Sequence, residues 1–455
     1  MPLPLIAIIA IFCVGYLMIV LEHNVNVDKA APAVLTGVLC WVIYILAAPG
    51  LVDVASLPQA FLDAHAGKPA EAIVKAWVGE HQMLEGFAET ASILFFLLGA
   101  MTIVEMVDVY GGFTLITDRI RSTSMVALLW IIGFVTFFMS AVLDNLTTTI
   151  VMISLIRKLI DDRADRLFFA GIIVIAANAG GAWTPIGDVT TTMLWIGGQI
   201  TTLKIMEGIF LPSLACLAVP LLFLTFRLRG REITPPAAVN NEAHRAVPQS
   251  HRNLIFLVGM GGLLFVPVFK TLTHLPPFMG MLFSLGVLWV VSELLNKDRD
   301  AAMESGMHIL TVVRRIDTPS VLFFLGILTA VSALQASGLL AQAAGFLDRN
   351  VGNLDLIVFL IGLLSAVIDN VPLVAATMGM YELSVHPTDS PLWEFLAFAA
   401  GTGGSCLIIG SAAGVAAMGM ERINFFWYVR NISGLALMGY VAGSAVIMLE
   451  KSVFF

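Results

Sequence analysis

Charge is what this sequence has least of. Asp, Glu, Lys and Arg make up 12% of its 455 residues, against about 25% in soluble globular chains. Hydrophobic residues make up 58%. A chain with so little charge cannot coat its apolar bulk with a wetted surface, so a soluble globular protein is excluded. A basic excess is also missing. The formal net charge is -8, which excludes the electrostatic footprint of a nucleic-acid partner. Cysteine is scarce: Cys13, Cys40, Cys216 and Cys406 all sit in apolar runs, with no CxxC spacing and no histidine cluster nearby. They read as small buried hydrophobes, not as disulfides or metal ligands. The histidines near segment ends form no metal pair, and no cofactor is expected. The first residues have no positive n-region and no clear small-residue cleavage site, so Leu5 to Leu21 reads as a first span and not as a signal peptide.

Long apolar runs are abundant. A membrane crossing needs roughly 20 mostly apolar residues. Candidates are 3–21, 31–49, 90–107, an interrupted 167–200, and 206–226, then 254–270, 277–295, 319–337, an interrupted 393–420, and 425–449. Two further stretches, 124–160 and 354–380, read as re-entrant hairpins. The polar stretch Arg227 to Arg252 is a linker, and 50–89 is mixed, with a surface helix expected from Ala70 to Val78. With both hairpins returning to their own side, 17 lysines and arginines fall on one face and six on the other. Arg430, in or near the last span, is left out. The positive-inside rule makes the richer face cytoplasmic and both termini periplasmic. The expected setting is a bacterial inner membrane.

The chain repeats itself. Ser92 to Leu97 matches Ser320 to Leu325, and Ser140-Ala-Val-Leu-Asp144-Asn145 matches Ser365-Ala-Val-Ile-Asp369-Asn370. Gly180-Gly181 matches Gly403-Gly404, and Gly187 falls opposite Gly410, at offsets between 223 and 228. Gly37-Val38-Leu39 resembles Gly286-Val287-Leu288 more weakly. The expected fold is all-α and polytopic, with two inverted-topology repeats, 1–226 and 253–455, joined by a cytoplasmic linker, 227–252. Each repeat has five crossing segments, one of them unwound at mid-membrane, and one re-entrant hairpin. An odd number of crossings inverts the second copy. Inverted repeats with broken helices are the architecture of secondary transporters working by alternating access, so an enzyme is not expected.

Three motifs carry chemistry. A carboxylate at membrane depth costs roughly 2.5 kcal/mol or more and persists only when buried in protein, wetted or paired. Asp144-Asn145 and Asp369-Asn370 each interrupt an apolar run, and Asp and Asn favour turns and caps over helix interiors. Each pair therefore belongs at a hairpin tip, with Thr147 following the first and Ser365 preceding the second. In Asn178-Ala-Gly180-Gly181-Ala-Trp-Thr184-Pro185-Ile-Gly187-Asp188-Val-Thr190, the glycines and proline break the helix and free backbone carbonyls. Such backbone is tolerated only inside protein or beside a cavity. Its partner is Gly401-Thr-Gly403-Gly404-Ser405. Freed carbonyls, hydroxyls and amide oxygens suit a hard cation such as Na⁺. Asp188 has no acidic counterpart, since Ser411 stands there, which points to a dedicated role such as proton transfer. Glu89, expected at the start of the third span with Asp317 as its counterpart, is a further acidic candidate, although a residue at that point can simply complement the helix dipole.

These residues give the resemblance. The paired Asp-Asn tips, the Asn-Ala-Gly-Gly-x-x-Thr-Pro-Ile-Gly-Asp-x-Thr stretch and the Gly-Thr-Gly-Gly-Ser stretch resemble NhaD-type sodium/proton antiporters of the ion transporter superfamily, over nearly the whole chain. The resemblance implies a homodimer, with a scaffold and a moving transport subdomain in each protomer, and a cation site formed by the hairpin tips and unwound helices. The superfamily's anion symporters carry Ser-Asn-Thr at both tips. Here Asp144 and Asp369 replace the Ser, while Leu146 and Val371 replace the Thr. A carboxylate at each tip repels an anion and can hold a cation or a proton.

The expected function is exchange of cytoplasmic Na⁺ (or Li⁺) for external H⁺. Na⁺ is placed at Asp144, Asn145, Asp369, Asn370 and Asn178, with Thr147 and carbonyls near Gly180 and Gly403. Asp188, with Thr190 beside it, is the second proton carrier. The alternative is Na⁺-coupled symport of a small anion. A remote one is an intramembrane aspartyl protease, because Pro185-Ile-Gly187-Asp188 is similar to the Gly-x-Gly-Asp motif but lacks its first glycine.

Overall fold

The computed structural model describes residues 2–22, 27–117, 122–233, 247–295 and 308–454. Arg119, Arg121, Arg245, Lys297, Arg299 and His23, and the middle of the linker, lie outside the described residues. Among the described residues, nine helices are long and apolar enough to cross a membrane. The one β feature among them is a single antiparallel bridge, Ser124 with Glu232.

The first half runs through α1 (Leu3–Val20), α2 (Ala30–Ala47), α3 (Met83–Val109), α4 (Met125–Ser140), α5 (Asn145–Leu159), α6 (Arg163–Ala182), α7 (Val189–Ile196) and α8 (Thr202–Arg227). The second half follows as α9 (Gln249–Thr273), α10 (Pro277–Leu295), α11 (Thr318–Ala336), α12 (Leu354–Leu364), α13 (Asn370–Met380), α14 (Pro391–Gly403), α15 (Ala412–Glu421) and α16 (Gly434–Phe454). Each expected hairpin is a helix pair around a short turn, and each expected broken span is two helices around an unwound stretch.

The chain divides into two compact units: 1–94 with 317–353 and 375–385, and 95–316 with 354–374 and 386–455. Each unit draws on both halves of the sequence. In the first, α2 packs on α11 with almost no side chain between them. A Cβ added at Gly37 would stand 2.6 Å from the Gly326 carbonyl, which lets the backbones approach as small residues do in membrane interfaces. The indole of Trp41 donates to Thr329 O at 3.0 Å, and the Tyr44 hydroxyl to Ala336 O at 2.8 Å. Gly286, the weaker sequence match to Gly37, has open space beside it, so the two do not share a packing role.

One expectation is corrected here. The helix expected from Ala70 to Val78 is present as Ala70–Trp77, and it continues through a π turn at Val78–Gln82 into α3, so 70–109 is one helical run. Glu80, His81, Gln82 and Glu85 are polar but compatible with a helix, so polarity alone does not stop it. Glu89 is therefore an exposed residue inside α3 and not at a helix start. Asp317 does cap a helix, its carboxylate accepting from Ser320 N at 3.3 Å ahead of α11.

In the second unit the two ends of the first hairpin segment lie together. Arg231 holds the two ends of the first: its carbonyl accepts from Met125 N, where α4 begins, and its guanidinium pairs with Asp165 just past α5, each at 3.1 Å. Lys451 links the start of α12 to α14. It pairs with Asp355 at the start of α12 and lies 5.5 Å from the ring centre of Phe395 in the first turns of α14.

Candidate functional site

The site is built entirely from the second unit. Four helices there start at broken points, and each start is capped by one of the short polar residues expected in that role. Asp144 has extended backbone and accepts from Thr147 N at 2.8 Å and from Thr147 Oγ1 at 2.7 Å. Asp188 accepts from Thr190 N at 3.0 Å. In the second half, Asp369 accepts from Val371 N at 3.2 Å, and Ser411 accepts from Gly414 N at 3.2 Å.

The paired sequence motifs make paired contacts. Ser140 Oγ donates to Ala177 O at 2.6 Å, fastening the first hairpin to α6, and Ser365 Oγ donates to Ala400 O at 3.1 Å, fastening the second to α14. A Cβ at Gly180 would run into the carbonyl of Phe137, and one at Gly403 into that of Gly362. Added Cβ atoms at Gly187 and Gly410 would each lie 2.6 Å from a serine carbonyl, that of Ser140 and that of Ser365. Only glycine permits these approaches.

Between these frames runs a buried polar chain. Asn145 Nδ2 donates to Asp188 Oδ2 at 2.7 Å and to Asn178 Oδ1 at 3.0 Å. Asn178 Nδ2 donates in turn to Ser405 Oγ at 2.8 Å and Ser411 Oγ at 2.9 Å. Every residue in the chain is buried, Asn178 completely. It joins the first hairpin tip, both unwound stretches and both halves of the sequence. The Tyr428 hydroxyl closes the far end by donating to Ser405 O at 2.9 Å. Asp144 and Asp369 lie close enough to Asp188 for their charges to reach it. Neither Asp144 nor Asp188 has an ion-pair partner among the described residues. Carboxylate charges converging on Asp188 favour a cation or a proton there.

Asn145, Asn178, Asp188 and Ser405 thus meet in one chain. Asp144 and Thr147 pair with each other beside it, and Asp369 and the buried Asn370 form the second tip. Gly180, Gly403 and Ser365 shape the frame. Thr184 is a brace, its hydroxyl donating to Ala141 O at 2.6 Å, and Thr190 contributes its backbone N–H to Asp188. Glu89 belongs to the first unit. One participant, Ser411, fell outside the sequence-derived set. It looked like a missing acid, yet its hydroxyl is a partner of Asn178. Thr148 carries a buried hydroxyl without a hydrogen-bond partner one helical turn past Asp144.

Broken helices capped by carboxylates around a buried amide and hydroxyl chain define a multi-pass membrane transporter of ions. A family profile described as "Citrate transporter" (CitMHS) matches residues 16–401. Sodium/proton antiporter 1 of Arabidopsis thaliana is 48% identical over 99% of this chain and 73% of its own length. The Na(+)/H(+) antiporter NhaD of Alkalimonas amylolytica is 30% identical over 96% of this chain and 89% of its own. The fold is shared with the YdaH transporter of Alcanivorax borkumensis, whose crystal structure is described as having an unusual topology. The TM-score is 0.54 at 14% identity, over 93% of this chain and 99% of that one. The chain belongs to the citrate-transporter family by that profile and to the NhaD-type sodium/proton antiporters by its relatives.

Proposed function

We propose that this protein exchanges Na⁺ (or Li⁺) for H⁺ by alternating access, with Asp188 as the carboxylate the two ions share. The observation that carries this reading is the bond from Asn145 to Asp188 within a chain that crosses both halves. In this arrangement the amide N–H of Asn145 occupies the oxygen of Asp188 that a cation needs. Turning the two amides presents oxygen atoms instead, and Asp188, Asn145, Asn178, Ser405 and the free hydroxyl of Thr148 then supply the oxygen ligands a hard cation prefers. Asp144 and Asp369 add negative charge at the hairpin tips. A proton neutralises the same carboxylate, so either ion, but not neither, allows the loaded site to pass the apolar barrier.

The remaining parts of the reading follow from it. The two halves act as inverted repeats, 1–226 and 253–455, and the arginine-rich end holding Arg157, Arg166 and Arg231 faces the cytoplasm, in a bacterial inner membrane with both termini periplasmic. The protomer works as a homodimer in lipid and needs no cofactor. Na⁺-coupled uptake of a carboxylate is disfavoured because an anion would have to settle beside Asp188 within reach of the Asp144 and Asp369 charges. A peptide-cleaving role is disfavoured by the same chain, which engages Asp188 through an amide and not through a second aspartate.

The test is cation-induced dequenching of a pH-gradient dye in everted vesicles from antiporter-deficient cells. Na⁺ or Li⁺ should dequench the dye in vesicles containing the protein and leave it unchanged in those with Asp188→Asn. Full exchange in that variant would remove Asp188 from the mechanism. Na⁺ flux appearing only with an added carboxylate would replace exchange by symport.

A further inference from the structure

Beyond the ion site, the second unit holds a cavity of about 510 Å³ at the end of α8. Three arginines line it, Arg227, Arg231 and Arg430, against one carboxylate, Asp165. Arg231 and Asp165 pair at 3.1 Å. Arg227 and Arg430 have no ion-pair partner among the described residues. Two guanidinium groups thus face one cavity with their charge unanswered. Arg430 reaches it from a π turn, Val429–Ser433, a local insertion that re-aims side chains and recurs at functional positions. The surroundings are those of a membrane–water boundary. Trp427 lines the cavity, and tryptophan favours the headgroup level. Phe226, next to Arg227, and Phe426, next to Trp427, are 81% and 77% exposed. Those rings are poor company for water and good company for acyl chains.

We propose that this cavity binds the phosphate headgroup of an anionic phospholipid. Guanidinium groups match phosphate oxygens in a planar, bidentate way, and basic pockets between membrane helices are suited to such headgroups. The exposed phenylalanines make a lipid the occupant in preference to free phosphate, which would leave them unused. Arg231 is held by Asp165 and frames the site, while Arg227 and Arg430 supply the charge. The inference does not depend on which ion the protein carries.

The experiment is native mass spectrometry of the full-length protein released from nanodiscs containing phosphatidylcholine with or without phosphatidylglycerol. Phosphatidylglycerol should be retained in preference to phosphatidylcholine. Each of Arg227→Gln and Arg430→Gln should weaken retention about five-fold, and together about 25-fold. Arg349→Gln, an exposed arginine of the first unit, should change nothing. Equal retention by the wild type and the double variant would overturn the proposal. So would binding of inorganic phosphate that depends on both arginines, with no preference between the two lipids, since the occupant would then be a free anion.

Discussion

Asn178→Ala tests whether the two halves are held together through one side chain. Asn178 accepts from Asn145 at 3.0 Å and donates to Ser405 and Ser411 at 2.8 and 2.9 Å, all in a fully buried setting. Each such bond is worth about 0.5–1.5 kcal/mol net, and a buried partner left unsatisfied costs more. Three of them give a local loss of about 3 kcal/mol. Protection against hydrogen exchange falls roughly ten-fold for every 1.4 kcal/mol when opening is local. Amides in the first hairpin tip, 141–147, and in the unwound stretch 404–411 should therefore exchange on the order of 100-fold faster in the variant. The assay is hydrogen–deuterium exchange by mass spectrometry on the protein in nanodiscs, with Asn431→Ala, on an exposed surface, as the control. Faster exchange in the first tip alone would mean that the serine contacts do not couple the halves. Unchanged exchange in both segments would refute the chain as a structural element.

Other consequences follow from particular contacts. Gly403→Ala should lower the midpoint of thermal unfolding in detergent, because the new Cβ meets the Gly362 backbone, with a cost of about 1–3 kcal/mol or more. Gly261→Ala, inside α9 with open space beside it, should be neutral or stabilising by up to about 1 kcal/mol. Glu421, 5% exposed, pairs with Arg157 at 2.6 Å and Arg166 at 3.7 Å. Glu421→Gln and Arg157→Gln should therefore be non-additive by about 0.5–3 kcal/mol in a thermal double-mutant cycle. In the first unit the Tyr381 hydroxyl donates to Asp348 at 3.2 Å, and burial, with the nearby Asp348 charge, pushes its pKa up to about 12. A raised folded-state pKa stabilises below the unfolded value near 10 and is lost as pH climbs toward 12. Tyr381→Phe should flatten the fall in thermal stability over that alkaline window, measured by a pH series.

Much of the site was legible because its chemistry is local. Asp144 and Asp188 are good caps placed where apolar runs break, and glycine and proline mark the unwound stretch, so the turns could be located from spacing alone. What was not legible depends on contacts far apart in sequence. Ser411 looked like an absence beside Asp188, but a hydroxyl caps α15 and accepts from Asn178 as an acid would. Asp144 and Asp188 both read as caps, but only the structure shows that Asp144 engages Thr147 while Asp188 is also drawn into the cross-half chain. The place of Glu89 was not legible for a different reason: polar residues at positions 80–85 lower hydropathy without weakening the helix, so a helix start expected near 90 falls within continuous structure. The glycines at 180 and 403 were legible as helix breakers, while the carbonyls they admit were not.

The most direct test reconstitutes the protein in liposomes with a pH dye inside, imposes an outward Na⁺ gradient without a pH difference, and follows internal pH and ²²Na⁺ together. Loss of Na⁺ from the lumen should acidify it in the wild type, and Asp188→Asn should abolish both signals together. Na⁺ movement without any proton signal, or both signals intact in Asp188→Asn, would contradict a carboxylate shared between the two ions.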